Sequence, residues 1–325
     1  MLLKTLLPLT ALAGVMAGPI IDERAAADLA MRRDVEAVIT EKMKAPTEEQ
    51  VQEANKVAQG AGGGFNDWNC KMTDDRTPII FLHGLTAPSL LNWFYIAPTF
   101  SSKGHCVYTP QYGTKDGILL GFNSLRDSSK WLKDYVQKVK ASTGAGKVHL
   151  VGHSMGTTVS SYYMKFDGGA DQVDKFVGFG CNYRGTSLYG INQLVRLVPF
   201  ITTALIKICP SCNEFLSPSD FMNDLQRGGI AVDGPQYTNI VSKYDELVLP
   251  YTSGIMEERA NVENIVLQDR CHFDFVGHSL QAIDPNVKNL IEWAIDGKQG
   301  PKPGCVANGI PFVHIRDGLE ESELQ

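Results

Sequence analysis

The sequence holds no Asn-x-Ser/Thr triplet, so it offers no acceptor for N-linked glycosylation. It has no basic surplus: 30 Lys and Arg face 36 Asp and Glu, a net charge of −6. Without a basic patch to neutralise phosphates, nucleic acid is set aside as a partner. No internal repeat is visible, which sets aside solenoids and propellers. No apolar run makes a good membrane span: the N-terminal run is short and soon followed by Asp22, Glu23 and Arg24, and residues 190–208 carry Arg196 and Lys207. Nor is there a zinc signature. Cys209-Pro-Ser-Cys212 lacks a second Cys-x-x-Cys or a clustered His, so a local disulfide is the better reading, and no metal or cofactor is expected.

What is present suits a globular protein with one large core: 325 residues, 43% apolar and 20% charged. Residues 1–17 (Lys4, an apolar run, then Val15-Met16-Ala17) have the pattern of a secretory signal peptide. Residues 18–64 read as a polar leader, a propeptide or a tail, with a dibasic Arg32-Arg33 and a glycine-rich end, AQGAGGGFN at 58–66. The domain proper is expected over 65–325. In a secreted chain the seven cysteines read as disulfides, and their odd count leaves one thiol over.

From residue 66 onward, strand and helix signals alternate. TPIIFL (77–82), HCVYTP (105–110), KVHLVG (147–152), DKFVGFG (174–180), YTNIVSK (237–243) and NIVLQ (264–268) read as buried strands. Leu125, Leu132, Val136 and Val139 have helical spacing with Gly144 as a stop, MGTTVSSYYMKF opens a helix after KVHLVG, and PNVKNLIEWAI (285–295) has proline in its first turn. The alternation predicts an α/β fold with a mostly parallel sheet covered by helices on both faces. GINQLVRLVPFITTALIKI (190–208) departs from it, and an apolar helical cap or lid is expected around 187–225.

Gly152-His153-Ser154-Met155-Gly156 is a G-x-S-x-G sequence between a strand and a helix, the setting in which such a serine stands exposed on a sharp turn. The flanking glycines let neighbouring backbone pass closely, and the helix N-terminus aims N–H groups at a forming oxyanion. Met155 would act through its backbone N–H, so its side chain should tolerate change better than Gly152 or Gly156. A serine nucleophile needs a base and an orienter, expected in the chain order Ser, Asp or Glu, His. Asp245, directly after YTNIVSK, is favoured over Asp233, Asp220 and Glu246. His272 and His278 both lie in the segment that follows, and order alone does not choose between them.

The segments IIFLHGLTAPSLLNWFYIAPTFSSKGHCVYTPQYG, KVHLVGHSMGTTVSSYYMKF, KYDELVLPYTS and VLQDRCHFDFVGHSLQAIDP, spread over about 70–290, resemble the class 2 (lipase A/EstA-like) triacylglycerol lipases of the α/β-hydrolase superfamily. More distantly the chain is similar to fungal lipases of the Candida antarctica B type. The resemblance implies an α/β-hydrolase fold. It selects His278, from Asp274-x-x-x-His278, and places the acid on Asp245. It assigns the oxyanion hole to the backbone N–H groups of Leu85 and Met155. The common pattern has Thr where this chain has Leu85, with Thr86 next, so a threonine hydroxyl donor is not carried over. It also implies the pairs Cys70–Cys106, Cys271–Cys305 and Cys209–Cys212, with Cys181 free.

The expectation is therefore a secreted, extracellular serine ester hydrolase, a lipase acting on acylglycerol esters through an acyl-enzyme. It is expected to act as a monomer on a lipid or other ester substrate, in part at an oil–water interface. A short-chain carboxylesterase or acyltransferase on the same residues is the first alternative, and a non-catalytic binding protein of the same fold the second.

Overall fold

The computed structural model describes residues 65–72, 76–114, 121–186, 209–215 and 218–306. The signal-peptide and leader segments, and residues 187–208 of the expected cap, lie outside the described residues. Six strands form one sheet: β1 (Ile79–Leu82), β2 (Val107–Tyr108), β3 (Val148–His153), β4 (Val173–Phe179), β5 (Gln236–Val241) and β6 (Val262–Val266). Their order is β2-β1-β3-β4-β5-β6 and every pairing is parallel. The chain steps outward from β1 to β2, then returns to the other side of β1 for β3. Crevices for ligands in such sheets open at this switch, beyond the carboxyl ends of the strands.

Successive strand residues face opposite sides of the sheet, so a parallel sheet covered twice needs apolar residues at nearly every position. Ile80, Leu82, Leu150 and Phe176 enter the core under α3 (Leu125–Thr143) and α4 (Met155–Phe166). Ile79, Phe81, Val151 and Phe179 enter the other core, with α1 (Ser89–Trp93), α2 (Ala97–Ser102) and α8 (Pro285–Ile295). Along the chain between α4 and α8 lie α5 (Pro210–Phe215) and α6 (Asp220–Gln226), which pack into the first core, and a short turn of helix, α7 (Leu267–Arg270), whose Leu267 enters the second. α3 begins with Ser124 accepting from the Arg126 N–H and ends at Gly144 in the left-handed conformation, φ 80°. α8 covers 285–295 as read from the sequence, with Asp284 capping the Val287 N–H. Among the described residues no helix is long and apolar enough to cross a membrane.

Strand bounds differ from the sequence reading by one or two residues throughout, and two of the shifts have a visible cause. β6 is displaced toward the N-terminus: it ends at Val266, and Leu267 and Gln268 start α7 instead of continuing the strand. β2 keeps only two ladder residues, because the Thr109 N–H turns away to the Asn66 side-chain oxygen. Cys70–Cys106 and Cys271–Cys305 stand at disulfide distance with Cα–Cα separations of 5.8 and 5.0 Å, and Cys209–Cys212 with 5.2 Å. Cys181, just past β4, is free and buried, and burial pushes its thiol up to about 12.

The glycines around Ser154 have a steric reason. A Cβ on Gly156 would lie 2.1 Å from the Leu82 carbonyl oxygen, and one on Gly152 would lie 2.8 Å from the backbone of Gly156 and Thr157. β1, β3 and α4 therefore touch backbone to backbone. Met155 is fully buried, its methyl against Gly121, so the tolerance expected of it extends to side chains of similar volume. Gly156→Ala is expected to cost about 3 kcal/mol or more of stability and Met155→Leu less than about 1.5 kcal/mol, measured by denaturant unfolding of the purified variants.

Candidate active site

Ser154 joins the last residue of β3 to the first turn of α4. Its backbone takes φ 52° and ψ −117°, a conformation costing a non-glycine residue about 1–3 kcal/mol. The surroundings hold it there. Its N–H donates to the Phe179 carbonyl at the end of β4 (3.0 Å), and its carbonyl accepts from the Thr157 N–H (2.9 Å) and hydroxyl (2.6 Å). The side chain stands above the carboxyl edge of the sheet, partly exposed.

Asp245 and His278 reach that edge from the loops after β5 and β6. His278 Nε2 lies 2.8 Å from Ser154 Oγ, and Nδ1 lies 2.7 Å from Asp245 Oδ2. The other Asp245 oxygen accepts the N–H groups of Leu247 (3.0 Å) and Val248 (2.8 Å), and Gln281 Nε2 adds a bond to Oδ2 at 3.2 Å. Burial works to raise the Asp245 carboxyl, but the His278 hydrogen bond and charge, with the two backbone N–H groups, hold it below its ordinary value. An imidazole placed this way is oriented through Nδ1 and free to take a proton from Ser154 at Nε2. The structure brings Ser154, Asp245 and His278 together and leaves their rivals apart. His272 is exposed, Asp233 pairs with Arg259 at the surface, and Asp220 lies in the first turn of α6.

Gln268 ties the two loops together, donating from Nε2 to the Ser242 hydroxyl (3.0 Å) and the Asp274 carbonyl (2.8 Å) while its Oε1 accepts the Lys243 N–H (2.7 Å). Asp274 is fully buried, accepting from the Val276 N–H and from Asn286 Nδ2 at 2.9 Å. It shapes the turn that delivers His278.

Leu85 follows β1 on the other side of Ser154, and a Cβ on Gly121 would meet both Met155 Cε (2.6 Å) and Leu85 Cα (3.4 Å). The Met155 methyl and Leu85 thus share Gly121 as a neighbour, and a Cβ on Gly84, just before Leu85, would lie 3.2 Å from Ser154 Cβ. Leu85 is partly buried, and Thr86 next to it turns with φ 61°. The loop is fixed by His83, whose Nδ1 donates to the Gly84 carbonyl (2.8 Å) and whose Nε2 accepts from the Tyr112 N–H (3.2 Å) and Gln111 Nε2 (2.7 Å). Those partners specify a neutral ring. Asn92 was not singled out from the sequence, yet its Oδ1 accepts the Gly84 N–H (3.1 Å) and lies 2.9 Å from His153 Nδ1. His153 Nε2 in turn faces the His278 carbonyl at 3.2 Å. Asn92 and His153 therefore link the loop after β1 to the loop after β6. Gln281 and Glu246 were likewise missed as partners of this site. Gln281 lies three residues beyond His278 and Glu246 adjoins Asp245, but that nearness alone does not say which atoms they meet.

Burial lowers His83 from 6.5 to about 4, against the pull of the Gly84 carbonyl. Burial together with the nearby His278 lowers His153 to about 3. Below 6.5 the unfolded chain binds protons at both positions that the folded chain refuses, so stability falls as pH falls toward these lowered values. The midpoint of thermal unfolding is expected to drop steadily from pH 6.5 to pH 4.5. His153→Gln, which has no such proton to take up, should flatten that slope.

Residues 76–290 match the family described as Lipase (class 2). A triacylglycerol lipase of Pseudarthrobacter phenanthrenivorans is 35% identical over 95 residues, 27% of this chain and 28% of that protein. Lipase B of Aspergillus fumigatus superposes with a TM-score of 0.56 at 19% identity, covering 74% of this chain and 56% of that one. The Bacillus licheniformis lipase BlEst2 in its propeptide form superposes with a TM-score of 0.50 at 14% identity, over 73% and 54%. The chain thus spans between about a quarter and somewhat over half of these relatives. The two structures share its α/β-hydrolase fold, and the family match covers most of the domain, from just before β1 into α8. The chain belongs to the class 2 lipase family.

Proposed function

We propose that this protein is a secreted serine ester hydrolase, a lipase that cleaves acylglycerol esters. The observation that carries the reading is the unbroken line from Asp245 Oδ2 through His278 to Ser154 Oγ, at 2.7 and 2.8 Å, ending on a serine held at positive φ above the sheet.

Ser154 Oγ attacks the ester carbonyl carbon while His278 Nε2 takes its proton. Asp245 holds the imidazole by Nδ1 and stabilises the imidazolium that forms. The negative charge on the former carbonyl oxygen falls to the backbone N–H groups of Leu85 and Met155, the second supported by the N-terminus of α4. The tetrahedral adduct collapses with loss of the alcohol, which takes the proton from His278, and leaves an acyl group on Ser154. Water, deprotonated by the same imidazole, releases the acid and restores the serine.

An apolar, water-insoluble ester is favoured by what surrounds the loops. Tyr244 and Leu247 flank Asp245, while Phe273 and Phe275 precede His278, and all four are exposed, Phe273 by 75%. Tyr244 and Phe275 pair at 5.0 Å between ring centroids. Exposed apolar side chains gathered at one rim mark a surface for an apolar partner. The matched relative is itself named a triacylglycerol lipase. The three disulfides and the signal-peptide pattern of residues 1–17 support secretion.

Ser154→Ala is expected to lower hydrolysis of a p-nitrophenyl ester by about 10⁴-fold or more, with the folded state preserved by circular dichroism. Full activity in that variant overturns the reading. Wild-type activity on emulsified triglyceride should exceed that on a soluble short-chain ester, and the reverse order assigns a carboxylesterase.

A further inference from the structure

His278 is held by its backbone as well as by its ring. Its N–H donates to Glu246 Oε2 at 2.7 Å. Adjacent carboxylates thus serve one histidine, Asp245 on the imidazole and Glu246 on the main chain. The residue before His278 makes room for this contact: a Cβ on Gly277 would lie 2.5 Å from Glu246 Oε2 and 3.2 Å from Cδ. His278 itself precedes a turn of 3₁₀ helix, Ser279–Ile283. An N–H at such a start has no partner within the turn and must find one elsewhere.

Asp245 is buried, but Glu246 is exposed. A long solvated side chain gives up rotamer freedom when it is held in one place, and here the place is the backbone of the proposed general base. The opposite end of the residue, its carbonyl, faces His153 at 3.2 Å. The ring is thereby set between two contacts of 2.7 and 2.8 Å, and displacements of about 1 Å from such a geometry cost about a hundredfold in rate.

We propose that Glu246 is a positioning residue: its carboxylate fixes the backbone of His278 so that the imidazole spans Asp245 and Ser154. The proposal rests on the Ser154–His278–Asp245 reading. It excludes Glu246 as the acid on the ring and gives it a separate task through the main chain.

The test uses the full-length chain and a soluble p-nitrophenyl ester. Glu246→Ala is expected to lower kcat by about ten- to a hundredfold, with KM within about twofold because no substrate contact is lost. Glu246→Gln keeps an oxygen able to accept the same N–H, though without the charge that strengthens the bond, and should recover all but about threefold of kcat. Gly277→Ala reaches the same contact from the other side, since the new methyl group displaces the carboxylate while Glu246 stays intact. It should lower kcat like Glu246→Ala, yet add almost nothing in the double variant, because the two changes remove one interaction. An organophosphate should label Ser154 stoichiometrically in every variant, and more slowly in Glu246→Ala and Gly277→Ala.

Wild-type kcat in Glu246→Ala, a Gln variant as impaired as the Ala variant, or strictly multiplicative losses in the double variant each overturn the proposal. If Glu246→Ala does not fold, Gly277→Ala and Glu246→Gln decide the matter between them. Wild-type protein that resists labelling, or a Ser154→Ala variant that keeps full activity, overturns the underlying reading instead. A wild type that labels normally beside an equally reactive Glu246→Ala overturns only the role of Glu246.

Discussion

The chain turns from β3 into α4 with a single residue between them, and that turn depends on Gly156 letting the helix rest against the end of β1. A side chain there would fall on the Leu82 carbonyl oxygen. The contact fixes where α4 starts, and the start of α4 dictates the backbone of Ser154. Strain of this kind persists when the surroundings over-determine it. Here the restraint comes from three directions: the Phe179 carbonyl on β4, Thr157 on α4, and the tight β1–β3–α4 contact. The other strands serve the same edge. β1 delivers the Leu85 loop, β5 delivers Asp245 and β6 delivers His278, all at their carboxyl ends.

Around that edge the protein arranges charge economically. His83 and His153 are kept neutral by burial, while two carboxylates meet His278, Asp245 at its ring and Glu246 at its backbone N–H. Asp245 remains ionised in a buried place because it is saturated with donors, two from the backbone and two from side chains. A carboxylate without them would take up a proton more readily and orient nothing. Two of the histidines that do not bond Ser154 act as fixed spacers. His83 holds its own loop, and His153 sits between Asn92 and His278.

Much of this was legible before any coordinates. The six strands and the two long helices were read from continuous apolar runs and 3.6-residue spacing, because a doubly covered parallel sheet leaves few positions polar. Ser154 and Asp245 followed from their places after strands. The choice of His278 over His272 needed the family resemblance, since chain order is the same for both. What separates them is a turn shaped by the buried Asp274, a long-range effect of its contact with Asn286. α1 and α2 escaped notice because they span only 5 and 6 residues and Pro98 breaks their pattern. The strand expected at 264–268 lay too near the C-terminus because apolar Val266 and Leu267 suit a strand and a short helix alike. Asn92, Gln281 and Glu246 act through backbone or ring atoms brought close by folding alone, and no spacing rule encodes such meetings.

Cys181 carries a last consequence. Three cysteine pairs stand at disulfide distance beside a seventh cysteine, and thiol–disulfide exchange proceeds through the thiolate. In the folded protein the Cys181 thiol is buried and pushed up to about 12, so it has neither the charge nor the access to attack a neighbouring bridge. The odd cysteine is thus a bystander to the three pairs in the folded protein, held out of exchange by the packing around β4 and β5.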